Sequence, residues 1–139
     1  MRILALDFGK RRIGLAVSDE LGITAQGLPT VQRKNLRSDL AELARIMQER
    51  SVGRILMGDP RHMSGDVGAQ AEAARHFSKQ LARHTGKPVE MWDERLTTVE
   101  ASRVLRESGI SIAKRARAVD QLSAVILLQS YLDFLGGKA

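Results

Sequence analysis

The chain has 139 residues, the size of one ordinary domain. At 43% hydrophobic and 27% charged it lies in the globular range, and 22 basic against 16 acidic residues leave a net charge of +6. It has no cysteine, which excludes a disulfide scaffold, a thiolate zinc site and a thiol nucleophile. The longest apolar stretch, Ala124 to Leu128, falls far short of the roughly 20 residues a membrane span needs. No secretory segment fits ahead of Lys10-Arg11-Arg12. The expectation is a soluble, cytoplasmic protein of one domain, 1–139, with no membrane partner.

The positive balance favours a polyanionic partner. The cations bunch as Lys10-Arg11-Arg12, as Arg33-Lys34 with Arg37, and as Lys114-Arg115 with Arg117. Each bunch reads as lying between periodic segments, where a loop offers it to phosphates or to water.

Along the chain, Arg2 to Phe8 is an apolar run too short for a helix and reads as a buried strand. Gly9 to Arg12 turns the chain into a second strand, Ile13 to Ser18, predicting a hairpin; Thr24 to Val31 adds a weaker third strand. Leu36, Leu40, Leu43, Ile46 and Met47 then recur at helical spacing, with Asn35 or Ser38 as the N-cap. Gly53 to Met57 is a strand closed by Gly58-Asp59-Pro60, and a helix follows from about Asp66 to His84. Pro88 to Trp92 is a further strand, succeeded by helices over Thr97 to Glu107 and Ala118 to Leu135. Strands alternating with helices after an initial hairpin predict an α/β fold, a mixed five-stranded sheet with helices on both faces.

Three acids stand at element ends. Asp7 closes the first strand, where α/β folds place ligands, although an Asp there also serves simply to close a turn. Asp93 and Glu94 follow the fifth strand, and alternation allows only one of them to share a side with Asp7. Asp120 shares a helix face with Ala124, Leu127 and Tyr131 at i+4, i+7 and i+11, which is costly for a carboxylate unless it caps the helix, is paired or meets a cation. Converging carboxylates suit a hard divalent cation such as Mg²⁺, and a pair of such ions about 3.5–4 Å apart serves phosphodiester cleavage. His62, His76 and His84 lack ligand spacing and read as surface or helix-face residues. Thr97 and Thr98 read as helix caps, and the 4% aromatic content argues against a base-stacking platform.

Four blocks in order, Asp7-Phe-Gly-Lys-Arg-Arg-Ile-Gly-Leu-Ala-Val-Ser, Gly58-Asp-Pro with Gly65, Asp93-Glu-Arg-Leu-Thr-Thr and Asp120-Gln-Leu-Ser-Ala-Val-Ile-Leu-Leu-Gln-Ser-Tyr-Leu, resemble the YqgF family. Its bacterial members are described as Holliday-junction resolvases and as pre-16S ribosomal RNA nucleases. The resemblance implies an RNase H-like fold and a nuclease dependent on Mg²⁺ or Mn²⁺. Its catalytic and metal-holding acids would be Asp7, Glu94 (with Asp93 as the alternate) and Asp120. Lys10, Arg11, Arg12 and Arg95 would neutralise the nucleic-acid backbone, with Lys114, Arg115 and Arg117 gripping it further out. The substrate implied is precursor ribosomal RNA or branched DNA.

Two positions depart from the pattern: Asp59 stands where an apolar residue is usual, and the residue three after Asp120 is Ser123 rather than a fourth acid. The competing readings are a non-catalytic RNA-binding assembly or transcription factor, and a nucleotide-dependent phosphotransferase, for which one domain is too little. Monomer and homodimer stay equally open.

Overall fold

The computed structural model describes residues 1–59, 67–93 and 112–136, with Val67, Asp93 and 112–120 placed by their backbone. Five strands form one sheet: β1 (Arg2–Phe8), β2 (Arg12–Ser18), β3 (Ala25–Gln32), β4 (Val52–Asp59) and β5 (Val89–Asp93). The helices are α1 (Leu36–Glu49), α2 (Val67–Thr85) and α3 (Ile112–Leu135). The spatial order is β3-β2-β1-β4-β5. β1–β2 and β2–β3 are antiparallel, whereas β1–β4 and β4–β5 are parallel. This is the mixed sheet expected from the alternation of elements.

Side-chain alternation divides the sheet into two faces. Leu4, Leu6, Phe8, Ile13, Leu15, Val17, Ile55 and Met57 join one buried cluster with Leu40, Leu43 and Met47 of α1 and Ala74, Phe77 and Leu81 of α2. Ile3, Ala5, Ala16 and Leu56 join the other, under Ala124, Leu127, Leu128, Tyr131 and Leu132 of α3. The small Ala5 and Ala16 on that second face leave room for the helix to approach closely.

Local chemistry sets the boundaries. Asn35 is the N-cap of α1, its Oδ1 accepting from the Ser38 amide at 2.8 Å. α3 begins at Ile112, six residues before the expected start. Lys114, Arg115 and Arg117 are therefore helical rather than in a loop, and Asp120 sits in the third turn, which removes its reading as an N-terminal cap. β4 and β5 each run further than expected, to Asp59 and Asp93, because ladder pairing continues through Gly58↔Trp92 and Asp59↔Asp93. The expected helix at Thr97 to Glu107 lies outside the described residues. Among the described residues no helix is long and apolar enough to cross a membrane.

Candidate functional site

Asp7 is the penultimate residue of β1, on the central strand of the sheet, and is partly buried. Its neighbours Leu6 and Phe8 face α1 and α2, so alternation gives Asp7 the opposite face, that of Ile3, Ala5 and α3. In α3 the buried residues Ala124, Leu127 and Tyr131 follow Asp120 at helical spacing. By its backbone position, residue 120 lies one turn before Ala124 on α3. Asp7 is thus on the face of the sheet that α3 covers, the helix whose backbone includes residue 120.

Asp93 ends β5 opposite Asp59. Glu94 and Arg95 lie outside the described residues, as do His62, Gly65, Thr97 and Thr98. Among the described residues no three His, Asp or Glu side chains gather around a metal-sized space.

Asp59 is 1% exposed, and its Oδ1 lies 3.8 Å from Nη2 of Arg75 on α2. Its strand neighbours of the same parity, Ile55 and Met57, pack in the α1–α2 cluster. Asp59 is therefore across the sheet from Asp7. The departure from the family pattern places a carboxylate against α2, not a further acid beside Asp7. His76 and His84 are exposed on α2, as their spacing suggested.

The turn after Asp7 is held from three elements. Gly9 N–H donates to the Arg12 carbonyl at 2.9 Å, and a β-carbon at Gly9 would stand 2.7 Å from that oxygen, so only glycine fits. Gln70 Nε2 of α2 donates to the Phe8 carbonyl at 2.9 Å. Arg33 Nη1, just past β3, donates to the carbonyls of Gly9 at 2.8 Å and Lys10 at 3.0 Å, while its guanidinium lies 4.3 Å over the Phe8 ring. Lys10 and Arg11 are exposed beside Asp7, and Arg12 is half-buried at the start of β2. The sequence marked Arg33 only as one of a bunch of cations, and nothing local singled out Gln70.

α3 is fastened to β3 by amides rather than by charge. Gln121 Nε2 donates to the Leu28 carbonyl at 2.9 Å, with its Cγ pressed against Gly27, where a β-carbon would come within 2.7 Å. Gln129 accepts from the Ala25 amide at 3.1 Å and donates to the Ile23 carbonyl at 2.9 Å. At the β5 side, Tyr131 O–H donates to Glu90 Oε1 at 2.7 Å, and Arg54 Nη2 donates to the Tyr131 hydroxyl at 2.8 Å. These contacts set the axial position of the helix.

A family model described as RuvX, Holliday junction resolvase, matches residues 1–134. The chain belongs to the RuvX (YqgF) family. A relative from Koribacter versatilis is 56% identical over 135 residues, covering 97% of this chain and 88% of the relative; one from Moorella thermoacetica is 49% identical over 136 residues, covering 98% and 97%. Both carry the name "Putative pre-16S rRNA nuclease". Among solved structures, Thermus thermophilus RuvC in complex with a Holliday junction substrate superposes with a TM-score of 0.62 at 16% identity, over 100% of this chain and 98% of that one. The Fowlpox virus resolvase in its complex with Holliday junction DNA gives 0.58 at 13%, over 97% and 99%. At such identities the likeness concerns the fold, and it establishes that this RuvX-family chain has the RNase H-like architecture.

Proposed function

We propose that the protein is a divalent-metal-dependent endonuclease that cleaves phosphodiester bonds in structured nucleic acid, with the 5′ region of precursor 16S ribosomal RNA as its substrate. The observation that supports this reading is Asp7 at the carboxyl end of β1, on the face covered by α3, the helix whose backbone carries residue 120 one turn before the buried Ala124. Glu94, with Asp93 as the alternate, is the third acid, on the likeness of the block Asp93-Glu-Arg-Leu-Thr-Thr to the family's.

Carboxylate oxygens without thiolate or imidazole suit Mg²⁺ or Mn²⁺, and Asp7, Glu94 and Asp120 are the residues that would hold the ion. When bound, a divalent cation there supplies positive charge at the scissile phosphate and a lowered pKa for the attacking water. Lys10, Arg11 and Arg12, on the turn fixed by Gly9 and Arg33, bind the phosphates next to the scissile bond. Arg95, Lys114, Arg115 and Arg117 extend that contact. The names of the relatives support RNA as the substrate. The description of the family model supports branched DNA as the second reading.

The test is cleavage of precursor ribosomal RNA and of a four-way DNA junction, side by side, with Mg²⁺ or Mn²⁺. The expected result is metal-dependent cutting of the RNA, reduced at least about a hundredfold by Asp7→Asn or Asp120→Asn with binding retained. Cutting of the junction alone selects the second reading. Binding of RNA with no cleavage in any metal would replace the enzyme with an RNA-binding assembly factor.

A further inference from the structure

The bunch Arg33-Lys34 was separate from Lys10-Arg11-Arg12 in the sequence, and the fold brings the two together. Arg33 N–H donates to the Arg11 carbonyl at 2.8 Å, and its side chain holds the carbonyls of Gly9 and Lys10. Beneath them runs a groove of about 380 Å³ between the hairpin turn, the start of α1 and α2, lined by Lys10, Arg33, Lys34, Asn35, His76 and Phe77. Its floor is firm, since Phe8 and Phe77 stack at 4.5 Å and both are buried. The acid within it, Asp39, is 3% exposed and accepts from the Lys34 amide at 3.0 Å, so it serves the backbone rather than the opening. Among the described residues lining the groove, the exposed Lys10, Arg33 and Lys34 outnumber the one carboxylate, Asp39.

The groove opens on the α1–α2 face, whereas Asp7 belongs to the α3 face. Only the turn separates them: Lys10 is three residues from Asp7, on the order of 10 Å of chain. We infer that a single strand of the nucleic-acid substrate crosses the carboxyl edge of the sheet over the β1–β2 turn, and that this groove grips the phosphates flanking the scissile bond through Lys10, Arg33 and Lys34. The inference rests on the nuclease reading and adds a second contact region, on the opposite face of the sheet from Asp7. The Phe8 and Phe77 rings are buried, so the three cations make phosphodiester charge the main feature recognised there.

Lys34 is the residue to test, because its amide, not its ammonium, makes the contact with Asp39. Binding of a labelled single-stranded RNA and a labelled four-way DNA junction is measured with the full chain in EDTA, over a range of salt, for the unmodified protein, Lys34→Glu and Arg83→Glu. Arg83 is also an exposed cation, in the last turn of α2, and does not line the groove. Lys34→Glu is expected to weaken binding of at least one probe about tenfold. It should also lower the slope of log affinity against log salt by about 0.7. Arg83→Glu should change neither, and all three proteins should melt alike. If Lys34→Glu binds as tightly as Arg83→Glu, the groove is not part of the substrate path. Cleavage in Mg²⁺, run alongside, separates the two ideas: cutting by a protein whose binding ignores Lys34 overturns the groove and keeps the nuclease. Neither cutting nor binding overturns both.

Discussion

Arg33 reaches back 24 residues to donate to the Gly9 carbonyl at 2.8 Å, tying the end of β3 to the turn that follows Asp7. The same nitrogen donates to Lys10 O, and the planar guanidinium lies over Phe8. Lysine at this position would keep the charge and lose the flat stacking surface. Arg33→Lys is therefore expected to cost only about 1 kcal/mol in stability. It should lower the turnover of bound substrate about tenfold, since small displacements near reacting atoms are costly. Thermal melts and single-turnover cleavage measure the two effects, and a turnover equal to the parent's would remove Arg33 from any positioning role.

Asp59 and Asp7 lie near the same end of the sheet but on opposite faces, and Arg75 stands against Asp59. The expected effect of Asp59→Asn is a loss of about 1 kcal/mol in chemical denaturation, modest because Arg75 is half exposed. Cleavage should stay within about twofold. Loss of cleavage to the degree expected for Asp7→Asn would make Asp59 a site acid and refute the assignment of faces.

Gly27 admits the Gln121 side chain against β3, and a methyl group there meets Gln121 Cγ at 2.7 Å. Gly27→Ala should force α3 outward at the residue adjoining Asp120, costing about 1–2 kcal/mol as other overpacking does. Cleavage should fall more than the melting temperature alone would explain. Gln121→Ala in the Gly27→Ala background removes the clash, and recovery of activity in the double variant would identify the clash as the cause.

The hydroxyl of Tyr131 is 2% exposed as a residue, and its pKa is raised, first by burial and then by its hydrogen bond to Glu90. In the unfolded chain the phenol ionises near pH 10, while the folded state holds its proton to higher pH. Over that window the unfolded state binds fewer protons, so stability is full below about pH 10 and declines as pH rises through the folded value. Tyr131→Phe should flatten this decline and cost about 1 kcal/mol at neutral pH. Denaturation curves across the alkaline range test it; an unchanged slope in the variant would mean that another group sets the alkaline limit.

Much of the fold was legible in the residues because periodicity is a local property. The runs Ile3 to Leu6, Ile13 to Val17 and Ile55 to Met57 are too short and too apolar for exposed helices, and α1 announces itself through Asn35 and the spacing of Leu36, Leu40 and Leu43. Element ends were less legible. Gly58 and Asp59 look like a turn, yet ladder pairing with Trp92 and Asp93 keeps them in β4, because a partner strand supplies hydrogen bonds that local propensity does not foresee.

By itself the sequence determined the order of the strands and helices among the described residues, the family, and the candidate acids Asp7, Glu94 (with Asp93 as the alternate) and Asp120. Tertiary structure decided which of the described residues share a face. Alternation along β1 and β4 sets Asp7 with α3 and Asp59 with α2. It also decided that Arg33, distant in sequence, fixes the turn beside Asp7 and joins Lys10 at one groove. The physical reason is that chemistry at a sheet edge depends on which chain ends meet there. That meeting is set by strand pairing and by helix packing against alternating side chains, long-range contacts on which no single segment carries information.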